Sequence, residues 1–218
     1  MSFYVELQQA TQKEQAGMQA IPVIDAALCG KATLEQYVAF LTQAYHHVKH
    51  TVPLLMACGA RLESGQEWLR SAIAHYIAEE VGHQEWILND IQACGGDSES
   101  VRQGNPSAAT ELMVAYAYDT IARVNPVGFL GMVFVLEGTS TQLATHAATR
   151  LQSALGLPKQ AFTYLTSHGT LDLSHMQFFS GLVDRLESAA DRQCIIQRAR
   201  MFFRLYGDIF RSLQEVPA

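Results

Sequence analysis

Little in this chain is charged: Asp, Glu, Lys and Arg make up 17% of its 218 residues. Such a lean surface leads to the expectation that some apolar area is covered by a partner, most simply a second copy in a homodimer. The charge that is present sums to −6 with both signs interspersed, and no basic stripe runs along the chain. That argues against nucleic acid as the main partner. Cysteine is scarce. Cys29, Cys58, Cys94 and Cys194 lie far apart and form no Cys-x-x-Cys pair, which argues against a zinc knuckle and against a disulfide framework. Free thiols in apolar or loop contexts fit a reducing, cytoplasmic setting. Long hydrophobic runs are missing too: the longest, Pro126 to Leu136, falls well short of the ~20 residues a membrane-spanning helix needs. The opening stretch MSFYVELQQATQKEQ is charged early and does not read as a signal peptide. No alternation of apolar and polar residues bounded by turn pairs appears, so no strand is expected.

What remains is helix. Hydrophobic residues make up 49% of the chain, enough for a sizeable core at this length, and one all-α domain over 1–218 is expected. Helical periodicity predicts seven helices, at 3–20, 33–61, 65–94, 107–124, 126–156, 158–186 and 188–214. Gly95-Gly96 ends the third, and the polar stretch Asp97 to Pro106 reads as the one long loop. Asn125-Pro126 starts the fifth with proline at its first position. Pro53 sits inside the second pattern and should kink or break it. Helices this long make a bundle.

Several polar residues do not fit a plain bundle surface. The sixth helix carries His168, Asp172 and His175 at i, i+4 and i+7, within roughly 60° of one another on one face. Two imidazoles and a carboxylate aimed one way suit non-haem iron or manganese better than structural zinc. The plain alternative is a surface Asp–His pair beside an unrelated histidine. In the fifth helix Glu137 closes an apolar run that begins at Gly128. A carboxylate buried there needs a cation or a full set of donors; a glutamate facing water at a helix bend is the alternative. In the third helix Glu80 and His83 form the Glu-x-x-His spacing of carboxylate-bridged di-iron bundles, beside Gly82. The alternative there is a solvated acidic face of Glu79, Glu80 and Glu85. The second helix carries His46, His47 and His50. Neighbouring positions face different ways, so at most one or two of the three can line a common cavity.

Taken together, Glu-Glu-x-Gly-His, the lone Glu of Leu-Glu-Gly in a central apolar helix, and His-x3-Asp-x2-His resemble the heme-oxygenase-like di-iron oxidases and oxygenases, a group that includes the chlamydial protein associating with death domains. The likeness runs from the second helix through the sixth. It implies the seven-helix heme-oxygenase-like bundle that TenA thiaminases and pyrroloquinoline-quinone synthase share. It implies that His83, Glu137, His168, Asp172 and His175 ligate iron, one or two ions per chain, with manganese as the alternative metal. Many members place a further Glu seven residues before the first His, where this chain has Tyr76. Glu80 or Glu79 is the candidate to stand in. The implied function is an iron-dependent oxidoreductase acting with dioxygen on a small organic substrate, fed by an external electron donor since no flavin or nicotinamide fingerprint is present. Glu137 and Glu80 are its candidate catalytic carboxylates. Three rivals share the fold: a metal-free TenA-like hydrolase of thiamine-related pyrimidines using Glu137 or Glu80 as acid/base, a haem or tetrapyrrole binder using His46, His47 or His50, and a non-catalytic binding protein. Fold alone does not choose among them.

Overall fold

The computed structural model describes residues 1–213, apart from the side chains of residues 168–174. The described residues are helical throughout, with no strand among them. In chain order the helices are α1 (Phe3–Gln19), α2 (Pro22–Leu28), α3 (Leu34–Val48), α4 (Thr51–Arg61), α5 (Glu67–Glu80), α6 (His83–Ala93), α7 (Ser98–Gln103), α8 (Ala108–Asp119), α9 (Leu130–Leu155), α10 (Thr163–Asp184) and α11 (Ala189–Ser212).

There are thus more segments than the seven helices expected. The second helix divides at Lys49-His50, and Pro53 falls in the first turn of α4, where its missing N–H costs nothing. The third divides at Val81-Gly82, which periodicity does not show. The expected long loop holds a helical turn, α7, because the Asp97 side chain accepts from the backbone N–H groups of Glu99 and Ser100. Short 3-10 turns at Pro126–Phe129 and Lys159–Phe162 lead into α9 and α10.

α9 is the central helix and packs most extensively against α10 and α11. The stretch Pro126–Leu155 is long and apolar enough to cross a membrane by composition, but 61% of its most apolar window is buried inside the bundle, as a core helix requires. α9 meets α11 at very close range. A Cβ on Gly131 would lie 2.7 Å from the Ala199 backbone nitrogen and 2.9 Å from the Ile195 carbonyl oxygen. Backbone atoms cannot step aside, so only glycine allows this approach. Two apolar clusters result. The larger joins α1, α4, α5 and α8 to the first half of α9 and to α11; the smaller joins α3 and α6 to the second half of α9 and the start of α10.

One buried carboxylate ties the second cluster to α10. Asp90 on α6 has no exposed surface. It accepts from the Thr163 N–H (3.1 Å), the Tyr164 N–H (2.8 Å) and the Thr163 hydroxyl, three donors at the start of α10. It therefore serves as a cap supplied by another helix. Burial pushes its carboxyl above the ordinary range, against those hydrogen bonds. Beside it, Tyr37 of α3 donates to the Ala161 carbonyl at 2.7 Å and stacks on Phe162.

Two substitutions test this packing. Asp90→Ala strands two N–H groups and a hydroxyl, and should cost about 3 kcal/mol of unfolding free energy in urea titration. Gly131→Ala should cost about 2 kcal/mol by forcing α9 and α11 apart, seen as a lower midpoint with helicity retained.

Candidate functional site

α5 ends at Glu80 because Val81 is extended (ψ 121°) and Gly82 takes φ +94°, a left-handed conformation that favours glycine. α6 then restarts at His83. The break folds the two ends of the Glu-x-x-His element toward each other: His83 Nδ1 lies 3.1 Å from Glu80 Oε2. Both side chains are buried, and the His83 ring stacks on Trp86 with centroids 4.0 Å apart.

Glu79, one residue earlier, points elsewhere. Its carboxylate meets His175 of α10 (Oε2 to Nε2, 3.2 Å) and His75 (Oε1 to Nε2, 3.5 Å). Glu137 approaches the opposite nitrogen of His175, with Oε1 3.8 Å from Nδ1. The His175 ring thus lies between a carboxylate from α5 and one from α9. Tyr76, at the position where a further glutamate was expected, is buried and sets its ring edge-on to His175 (centroids 5.9 Å) and to Phe178 (5.4 Å). It occupies the expected place with a phenol in place of a carboxylate.

Three of these residues, Tyr76, Glu80 and Glu137, border a cavity of about 80 Å³. Glu80 and Glu137 reach its wall together with His47 and Tyr76, and the rest is largely apolar, with Phe129, Met132 and Leu136 from the first half of α9. The carboxylates are almost wholly covered, with side-chain exposures of 10% for Glu80 and 12% for Glu137, against 37% for Glu79. Charges so enclosed demand a cation or strong donors. Of the three histidines of the second helical pattern, only His47 lines this cavity. His46 turns to Lys49 (Nδ1 to Nζ, 3.2 Å) and His50 to the Tyr118 hydroxyl (3.2 Å). Burial, then the Lys49 charge, holds both imidazoles below their ordinary value.

The structure therefore brings Glu80, His83, Glu137 and His175 into one region and adds Glu79. The side chains of His168 and Asp172 lie outside the described residues. Among the described residues no three His, Cys, Asp or Glu side chains are gathered closely enough to hold an ion by themselves. The donor chemistry nevertheless fits a metal. The 3.8 Å from His175 Nδ1 to Glu137 is too long for a hydrogen bond, yet inside the about 4.2 Å that two donors sharing one first-row ion can keep. The paired contacts of His175 also match a ligand imidazole whose second nitrogen is held by a carboxylate. Sequence reasoning missed the role of Asp90. The available signal was its spacing of seven from His83, which puts it two turns along the same helix face.

The family model for iron-containing redox enzymes matches residues 38–207. The chain belongs to that family. No curated protein matches it. A domain of unknown function with a heme oxygenase-like fold from Shewanella denitrificans is 25% identical, with a TM-score of 0.89 over 97% of this chain and 92% of that one. A TenA homologue from Pseudomonas syringae shares 10% identity and a TM-score of 0.83 over 98% of this chain and 93% of its own. Heme oxygenase-1 from the cyanobacterium Synechocystis, solved with heme, shares 13% identity and a TM-score of 0.77 over 98% and 93%. At those identities the last two show the fold alone. The all-α heme-oxygenase-like architecture expected from the motifs is the one found.

The break at Gly82 can be checked directly. Gly82→Ala keeps open space around the new methyl group but strains the backbone at φ +94°. It should cost about 1 kcal/mol in thermal unfolding and shift the His83 ring resonances in a histidine NMR spectrum.

Proposed function

We propose that this chain is a non-haem iron oxidase or oxygenase that acts with dioxygen on a small organic substrate. The observation that carries the reading is the pair of buried carboxylates, Glu80 and Glu137, on the wall of a largely apolar cavity, with His83 against the first and His175 beside the second. Membership of the iron-containing redox enzyme family supports it. His83, Glu137 and His175, with His168 and Asp172 of the same α10 motif, are the proposed iron ligands, and Glu80 or Glu79 supplies the further carboxylate. When bound, iron supplies redox chemistry and open positions for dioxygen that no side chain here provides.

The chain's own residues set the conditions. Glu80 and Glu137 bring negative charge to the cavity wall and neutralise the cation. Glu79 holds the Nε2 side of His175, fixing its ring and tautomer. Tyr76 closes the cavity floor against His175, and Phe129, Met132 and Leu136 keep water from the reacting end. With a phenol at Tyr76, the carboxylate supply for a second ion falls to Glu79 and Glu80, so the proposal covers one or two irons per chain, manganese being the alternative. Electrons come from an external donor, and the working unit is proposed to be a cytoplasmic homodimer.

Anaerobic loading with iron(II) tests the reading. The native chain should take up one or two equivalents, and His175→Ala and Glu137→Gln should weaken uptake at least tenfold while His50→Ala, outside the cavity, leaves it unchanged. Equal uptake by all four proteins, or none by the native chain, overturns it. Hydrolysis of a thiamine-related pyrimidine in the presence of chelator would replace it with the TenA-like reading. A Soret band on haem addition that His47→Ala removes would replace it with a haem binder.

A further inference from the structure

A second cavity, of about 100 Å³, lies beside the first. Ser140, Tyr164 and Tyr206 line both, so the two chambers adjoin at a junction walled by these three side chains. Ser140 stands one turn beyond Glu137 on α9, which places the junction close to the carboxylate end of the first chamber. The second chamber runs on between α2, α3, the later part of α9 and the end of α11. Ile24, Leu28, Phe40, Leu143, Leu151 and Phe210 supply its walls. Among the described residues no charged side chain and no histidine lines it. The hydroxyl of Tyr37, one of its few polar groups, is already given to the Ala161 carbonyl. Ala144 and Ala147 leave space on the α9 side where larger residues would fill it.

Several of its lining residues, Leu28, Phe40, Leu143 and Phe210 among them, are only half-buried, so the chamber is a partly open apolar cleft. It follows the seam where the two apolar clusters meet and adjoins the carboxylate-bearing chamber. Its described walls are mostly aliphatic and aromatic, so an apolar body gains there by leaving water.

We propose that the substrate of this site is amphipathic. Its polar, reacting end lies beside Glu80 and Glu137, and an unbranched apolar chain passes Ser140, Tyr164 and Tyr206 into the second chamber. The assignment of the reacting end rests on the function proposed above; the chain-binding chamber does not. By comparison with a 150 Å³ cavity that takes benzene, the second chamber holds about four carbons beyond the junction. Tyr206 and Tyr164 act as its selectivity edge. Tyr206 sets its ring between His47 on one side (centroids 5.9 Å) and Phe210 on the other (4.9 Å), so its rotation decides the width of the passage.

Straight-chain primary alcohols from butanol to dodecanol test this without reference to a metal, because their heads are neutral. Titrated calorimetrically into the protein as isolated, they should bind with about fourfold tighter affinity per added methylene until the chamber is full, and then level off. Ala147→Phe should move the plateau at least two carbons shorter while leaving butanol binding and iron(II) uptake unchanged. Should that variant lose its fold by circular dichroism, Leu28→Phe at the far wall serves the same purpose. Binding that ignores chain length, or a plateau that neither filled variant moves, overturns the proposal. Length-dependent binding in a chain that takes no iron removes the proposed function and leaves the chamber assigned. Iron uptake with no length dependence removes only the chamber.

Discussion

Every element of the site depends on where α10 begins. That helix carries His175, and its start is held by a carboxylate from α6, the helix that begins with His83. Asp90, with no exposed surface, takes two backbone N–H groups and the Thr163 hydroxyl. Such bonds are costly to leave unmade, so α6 and α10 have one low-energy registry rather than several. The distance from His83 to His175 is in this way set by a residue that touches neither. Tyr37, bonded to Ala161 and stacked on Phe162, repeats the constraint from α3.

Against that fixed frame the site concentrates negative charge in an apolar surrounding. Glu80 and Glu137 would be destabilising there as bare carboxylates, because ions lose most of their solvation on burial. Histidine from two other helices moderates this, and the proposed iron would offset it. The arrangement is the reverse of what core packing alone would select. The cavities express the same tension: two apolar clusters that could have closed on one another leave two neighbouring spaces, one at the carboxylates and one reaching the end of α11.

The interruption at Val81-Gly82 shows how a local rule and a global requirement can diverge. Hydrophobic periodicity runs through the segment and gives no sign of a stop. A continuous helix would carry Glu80 and His83 one above the other along its face. The extended Val81 and left-handed Gly82 instead let α6 leave in a new direction, so that Glu79 can reach α10 while Glu80 turns to the cavity. Gly82 stands beside this motif in the sequence; what it supplies is a left-handed backbone conformation.

The sequence by itself determined the all-helical class and the centrality of the Pro126–Leu155 helix. Those conclusions rest on period and run length, which are properties of a chain read locally; that Glu80, His83, Glu137 and His175 belong to one site was what the motif resemblance implied. Only the tertiary structure decided that Glu79 meets His175 while Glu80 faces the cavity, that His47 alone of its histidine cluster lines it, and that Tyr76 sits against the His175 ring. It also decided that Asp90 caps a helix at Thr163, 73 residues on, and that a chamber with no charged side chain among its described lining adjoins the carboxylates. Each of these depends on the rotation and separation of helices relative to one another. Side-chain periodicity says which residues share a face but not which neighbour that face meets, so the reactive end of the site was legible in the sequence and the shape of the space beside it was not.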